Sequence, residues 1–279
     1  MAGGAPQRKT GPAIQSRAVL PWPGPGLTVA RFGPEYIIMT YCVGLLLNEG
    51  MVLLSDTRTN AGLDHISSYR KMFTFEVPGE RVITILTAGS LSATQLTIAR
   101  LQEAIDAPDA TGDNSILLAP SLLKVAEIVG ATLWSVRDAM DQRLKANGHF
   151  GSASMIVAGQ RKGGVMRMFL IYPEGNFIEA TAETPFLQVG EHKYGKPILD
   201  RIVRSETTLD DGKKAVLLSM DSTLRSNLSV GMPLDLAVIR EGDCRLSHQR
   251  RIEAGDADFA KMSAAWSRVL RDGFLKMKI

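Results

Sequence analysis

The spacing of apolar residues switches between strand and helix periods repeatedly along this chain, and that switching limits the folds open to it. From Thr40 to Ala88 short apolar runs alternate with turn signals. Thr40–Leu47 and Met51–Asp56 read as two strands joined by the three-residue connection Asn48-Glu49-Gly50, which suits a hairpin. Lys71–Glu76 and Val82–Ala88 read as a second pair around Pro78-Gly79. The period then becomes helical. Thr94, Ile98, Leu101 and Ile105 share one face of a helix entered through Gly89-Ser90. A longer helix from near Ser121 carries Leu122, Ala126, Val129, Leu133, Val136, Met140 and Leu144, spaced 4-3-4-3-4-4. The segment between them, 106–114, reads as a loop.

Strand patterns resume at Ser152–Gly159, Met166–Tyr172 and near Phe177. Helices are expected around Lys196–Val203 and Lys213–Leu224, and a strand at Leu234–Ile239. Asp258 is expected to cap a last helix with Phe259, Met262, Trp266 and Leu270 facing inward. Strands and helices therefore come in segregated blocks, which predicts stacked layers of an α+β fold and not alternating βαβ units. No GxGxxG, P-loop, HExxH or GxSxG motif and no internal repeat is present.

Residues 1–39 differ in character. Six of the 13 prolines fall there, and Pro21-Trp22-Pro23-Gly24-Pro25-Gly26 is incompatible with a regular helix or a central strand. No continuous apolar stretch follows the basic residues Arg8, Lys9 and Arg17, so a secretory signal is not expected. This segment reads as a disordered leader or mis-annotated extension, absent from the mature chain. Residues 40–279 are then one domain ending in a helical extension.

Composition excludes several functions. Charge is balanced, with 32 basic against 29 acidic residues, and Gln249-Arg250-Arg251 reads as a solvated turn, so no nucleic-acid partner is expected. Apolar runs are too short for a membrane span. Two distant cysteines and four scattered histidines form neither a disulfide framework nor a metal-ligand spacing, so no cofactor or metal is expected, and the cytoplasm is the expected compartment.

Chemistry enters at Met39-Thr40, where the folded pattern begins. A threonine hydroxyl is a weak nucleophile and needs a base. If Thr40 is the first residue, its own α-amine, with an unperturbed pKa of roughly 7.7–8.0, lies beside that hydroxyl and can take its proton. Loss of Met39 is compatible with the small residue that follows it. Asp56 ends the second strand 16 residues on, Lys71 opens the third 31 residues on, and Gly89 stands between strand and helix 49 residues on. A lysine favours deprotonated hydroxyl and amine, a carboxylate orients the lysine, and a glycine amide at a helix start can donate to an oxyanion.

Each position also has a plainer reading. Asp56 and Arg58 could be a strand-end ion pair, and Lys71 could guard a strand edge. Gly89-Ser90 could be only a helix cap, and Cys42 reads better as a small packed residue than as a nucleophile. Glu191-His192-Lys193 reads as surface or subunit contact.

The blocks TYCVGLLLNEGMVLLSDTRTNAG (Thr40–Gly62), RKM around Lys71 and TAGSLSATQ (Thr87–Gln95) together resemble the proteasome β-type family, nearest its bacterial Anbu branch. FGSASMIVAGQ, VGEHKYGKPILDR and SMDSTLRSNLSVGMPLDL extend the likeness to about Arg240. The resemblance implies a four-layer αββα sandwich of the N-terminal-nucleophile (Ntn) hydrolase type. It implies hydrolysis of peptide or related amide bonds through an acyl-enzyme, inside a homo-oligomeric ring or open helical assembly. Thr40 would be nucleophile and base, Asp56 and Lys71 the supporting pair, Gly89 the oxyanion donor, and Ser229 the residue that supports the terminal amine. Any unfoldase would be a separate partner. Two departures stand out: Ser226 occupies the position of a family aspartate, with Asp221 nearby but offset, and Met39 precedes Thr40 where a glycine is usual. The alternatives are a same-mechanism hydrolase of a small or conjugated amide and a non-catalytic scaffold.

Overall fold

The structure, a computed structural model, describes Met1 and residues 40–61, 65–144 and 152–278. The expectation for residues 2–39 lies outside the described residues.

Seventeen elements are described, and they form two antiparallel sheets between two helical layers. The first sheet has the order β10-β1-β2-β11-β12, formed by Phe186–Gly190, Tyr41–Leu47, Gly50–Asp56, Leu234–Arg240 and His248–Ile252. The second has the order β5-β6-β7-β8-β9, from Met72–Val77, Arg81–Gly89, Ala153–Arg161, Arg167–Ile171 and Phe177–Glu179. A separate hairpin pairs β3 (Arg58–Ala61) with β4 (His65–Ser68). The helices are α1 (Leu91–Asp106), α2 (Leu122–Leu144), α3 (Lys196–Ile202), α4 (Leu209–Ser226) and α5 (Ala257–Lys276).

Strand periodicity distributes the core among three interfaces. Along β1, Tyr41, Val43 and Leu45 pack with Leu199, Val216 and Met220 of α3 and α4. The alternate residue Cys42 points the other way, into a core between the sheets with Leu53, Leu86, Ile156 and Met168. The second sheet contributes Ile83, Ile85, Val157 and Phe169 to a core with Leu122, Val129 and Leu133 of α2. Three stacked cores of this kind make a four-layer αββα sandwich.

The helical stripes agree with the sequence. Leu122, Ala126, Val129, Leu133 and Val136 are buried, and Met140 packs against them from a half-buried position. The Ser90 side chain accepts from the Ala93 N–H and caps α1, and the Thr208 side chain accepts from the Asp211 N–H to start α4.

Several expectations are corrected. The first hairpin has a two-residue connection: Leu47 pairs with Gly50, which opens β2 instead of closing a loop. The strands β3, β4, β10 and β12 were not anticipated. In β12, Gln249-Arg250-Arg251 form an edge strand and not a turn. The pattern there is unreadable because Arg251 pairs with Asp235, Arg250 with Asp256, and only Ile252 is buried. The last helix is capped by Asp256, whose carboxylate accepts from the Phe259 N–H at 2.9 Å, and not by Asp258. Phe259 packs toward the body, but Leu270 is 54% exposed.

Candidate active site

Thr40 stands immediately before β1 and is buried, at 4% exposure. Its carbonyl accepts the Glu191 N–H at 2.7 Å, just past the end of β10. That approach depends on Gly190, which has φ +82°; an added Cβ would lie 1.9 Å from the Thr40 carbonyl oxygen. Only glycine satisfies both the left-handed backbone and the contact.

Tyr41 ties the nucleophile candidate to the rest of the fold on two sides. Its N–H donates to Asp56 Oδ1 at 3.1 Å. Its phenol, buried under the helical layer, shares a hydrogen bond of 2.6 Å with Ser219 Oγ of α4 and accepts from Gln188 Nε2 of β10. Burial raises the Tyr41 phenol pKa well above its ordinary value, so the group stays neutral.

Asp56 ends β2 with no exposed surface. Its Oδ1 accepts from Lys71 Nζ at 2.8 Å as well as from Tyr41, and its Oδ2 accepts from the Gly231 N–H at 3.3 Å. Burial pushes the Asp56 carboxyl up, while the Lys71 ammonium and the two backbone N–H groups pull it back. Lys71, 4% exposed, also donates to the Arg58 carbonyl at 2.6 Å. Asp56 therefore pairs with Lys71 across the two sheets. The side chain of Arg58 goes instead to the Leu228 carbonyl at 2.7 Å.

The second sheet is held in register with this group. The Thr87 N–H donates to the Lys71 carbonyl at 2.9 Å, and the Cys42 thiol contacts the Thr87 carbonyl at 3.5 Å. Cys42 is wholly buried and its thiol pKa is pushed far up by that burial, so it is packing and not a thiolate. Gly89 ends β6 two residues beyond Thr87, with φ +108° and room for no Cβ, which would lie 2.4 Å from the Ser152 carbonyl oxygen. Gly89 therefore stands one residue before Ser90, the N-cap of α1.

Ser229 lies in the loop between α4 and β11. The loop is fastened to the site by the Gly231 N–H on Asp56 and by the Thr57 hydroxyl, which donates to the Pro233 carbonyl at 2.7 Å. The Ser229 N–H and hydroxyl both donate to Asn227 Oδ1. Asp221 is elsewhere, on α4, paired with Arg225 at 3.1 Å, and Ser226 is exposed at the end of α4.

The structure thus brings Thr40, Asp56 and Lys71 together, with Gly89 and Ser229 on adjoining segments. Sequence reasoning missed the Tyr41 amide, the Arg58 carbonyl and the Gly231 amide. Backbone groups have no residue-type signature. Among the described residues, no group of three or more His, Cys, Asp and Glu could hold a metal ion. No described helix is long and apolar enough to cross a membrane.

A family model described as proteasome subunit matches residues 40–239. Among solved structures, the Anbu (Gly-1) mutant from Hyphomicrobium sp. strain MC1 is 44% identical, covering 86% of this chain and 98% of that one, with a TM-score of 0.80. Anbu (ancestral beta-subunit) from Yersinia bercovieri is 39% identical over the same shares, also at 0.80. The Anbu complex from Pseudomonas aeruginosa, solved as a helical assembly, is 44% identical over 86% of this chain and 98% of that one, at 0.79. No match is found among curated protein sequences. A family model spanning the domain, identities near 40% over nearly the whole of those relatives, and the four-layer sandwich all agree: the chain belongs to the proteasome subunit family, in its Anbu branch.

Proposed function

We propose that this chain is a threonine-type Ntn peptidase that works in a homo-oligomeric assembly, with Thr40 as the terminal residue of the mature protein. One observation carries the reading: a single carboxylate oxygen, Asp56 Oδ1, holds both the Lys71 ammonium and the peptide N–H of the residue that follows Thr40. Removing two charges from water costs several kcal/mol per ion, so a buried pair adds little stability by itself. Its cost is compatible with a role in chemistry.

The reaction follows from the parts. The Thr40 hydroxyl gives its proton to the α-amine of the same residue, directly or through one water, as its oxygen attacks an amide carbonyl. The Gly89 N–H supports the oxyanion. The amine leaving group takes the proton, the C–N bond breaks, and an ester on Thr40 Oγ1 remains. Water then hydrolyses that ester and restores the hydroxyl. Lys71, aligned by Asp56, lowers the cost of negative charge on Oγ1, and Ser229 supports the amine. The reading requires that residues 1–39 be absent from the mature chain, since a peptide nitrogen at Thr40 has no basic lone pair. Cytoplasmic location and an open helical assembly, as in the Pseudomonas aeruginosa relative, complete it.

Ser226 standing where the family has an aspartate favours a second reading, a non-catalytic assembled scaffold with a degenerate site.

The test is to express a chain whose first residue after Met removal is Thr40. Turnover is assayed on an unfolded protein and on short peptide amides, and a β-lactone probe is followed by intact mass. A stoichiometric adduct that is lost in Thr40→Ala, with turnover lost in parallel, is the expected result. Equal turnover in wild type and Thr40→Ala overturns the enzyme reading and leaves the scaffold.

A further inference from the structure

Arg58 opens β3, directly after the buried residues Asp56 and Thr57. Its backbone is fixed by the hairpin, where it pairs with Ser68, and by the Tyr69 N–H, which donates to the Thr57 carbonyl at 2.8 Å. Its carbonyl accepts from Lys71 Nζ at 2.6 Å. Its half-buried side chain runs to the loop between α4 and β11, where Nη1 donates to the Leu228 carbonyl at 2.7 Å. One residue therefore reaches from the Lys71 ammonium to the peptide that joins Leu228 to Ser229.

The loop depends on that contact. Ser229 gives both its N–H and its hydroxyl to Asn227 Oδ1, inside the loop, so its place beside Thr40 is set by the loop's anchors. After Ser229, the Gly231 N–H reaches Asp56 Oδ2 at 3.3 Å and the Gly231 carbonyl accepts from the Thr57 N–H at 3.4 Å, both long bonds. Among the described residues, the bond from Arg58 is the one hydrogen bond that reaches residues 228–230 from outside the loop, and it is short and charge-assisted. Gly231 is shaped for the same side chain. A Cβ there would overlap Nε, Cζ and Cδ of Arg58. Its φ is not left-handed, so the backbone alone would accept any residue, and the contact with Arg58 is what requires glycine. A planar guanidinium can lie flat on that glycine, as a compact ammonium cannot. Among the described residues no carboxylate pairs with Arg58, and its Nε is buried without a partner. The arginine is therefore held by shape and by one carbonyl, not by a surface ion pair.

We propose that the Arg58 side chain is a positioning residue for the chemistry at Thr40. Its guanidinium, seated on Gly231, fixes the Leu228–Ser229 peptide against the mature terminus, while its carbonyl keeps Lys71 aligned with Asp56. Arg58 touches no reacting atom in this scheme. It acts through Ser229 on the amine and through Lys71 on the hydroxyl, so its loss slows the attack step and leaves probe binding alone. A misplacement of about 1 Å in such a site can cost about 100-fold in rate. This inference rests on the threonine-peptidase reading above.

The test follows the β-lactone adduct on the chain that begins at Thr40, by intact mass, over time and probe concentration. In Arg58→Ala the limiting labelling rate falls by about 10–100-fold, with the half-saturating probe concentration and the final stoichiometry unchanged. Arg58→Lys recovers only part of the rate. Methylguanidinium added to Arg58→Ala restores rate, and does not when Gly231→Ala fills the seat. A wild-type rate in Arg58→Ala overturns the proposal. So does a lower stoichiometry at an unchanged rate per labelled site, which makes Arg58 a fold residue only, and so does a higher half-saturating concentration at an unchanged limiting rate, which makes it a binding residue. If Arg58→Ala does not fold, Gly231→Ala alone decides: it keeps the arginine but displaces it, and an unchanged labelling rate overturns the proposal. A wild-type chain that forms no adduct overturns the peptidase reading itself, and this proposal with it.

Discussion

Asp56 and Lys71 meet at 2.8 Å with 0% and 5% of their side chains exposed, one from the end of the first sheet and the other from the start of the second. The pair spans the inter-sheet core, so it reports on both the site and the seating of the sheets. Removing one partner leaves an uncompensated buried charge, at a cost of about 3–5 kcal/mol. Lys71→Ala and Asp56→Asn are each expected to lower stability by that order. Asp56→Asn with Lys71→Met should lose less than the two single losses combined, as measured by urea unfolding in a double-mutant cycle. Additive losses would mean that the two groups are not coupled.

Gly190→Ala should damage the site more than the fold. A left-handed alanine costs about 1–2 kcal/mol, and the new methyl would also strike the Thr40 carbonyl. The expected outcome is a modest loss of unfolding free energy with loss of the β-lactone adduct on Thr40. An unchanged adduct would show that the strand end tolerates the shift.

Tyr41→Phe deletes one hydroxyl and leaves the buried Ser219 Oγ and the half-buried Gln188 Nε2 with fewer partners. The expected cost is about 1–3 kcal/mol. Restoring the apolar match with Ser219→Ala in the same chain should recover part of it. Thermal unfolding of the single and double variants checks this.

The Asp256 cap on α5 titrates in acid. The Phe259 N–H, and then Arg250, hold its carboxyl below the usual carboxylate range. A depressed folded pKa gives a contribution that is present above the unfolded value of about 3.9 and is lost as pH falls through the folded value. Asp256 therefore caps α5 fully at neutral pH and releases it only below about pH 4. The Phe259 amide shift, followed by NMR, should titrate with a midpoint below that of a free aspartate and stay flat in Asp256→Ala.

Much of the architecture was legible because its signals are local. The stripe Leu122–Val136 is one face of one helix, and Ser90 caps α1 within its own turn. The ordered spacing of Asp56, Lys71 and Gly89 carries the resemblance, since Asp56 and Gly89 close strands and Lys71 immediately precedes one. The strand β12 was hidden because its exposed residues are held by ion pairs, which leave no hydrophobic period. The outward half of α5 was misread for a related reason. Periodicity says that a helix has an apolar face, but says nothing of whether anything of the same chain lies beneath it.

Residue order alone determined the layer pattern and which side chains were chemically able to act, because helix and strand periods and side-chain chemistry are properties of short stretches. Only the tertiary structure decided that Asp56 turns to Lys71 and not to Arg58, and that the Tyr41 amide shares the same oxygen. It also decided that Gly190 closes on Thr40. Those choices depend on groups as far apart in the chain as Thr40 and Glu191, and on backbone atoms that every residue type carries alike.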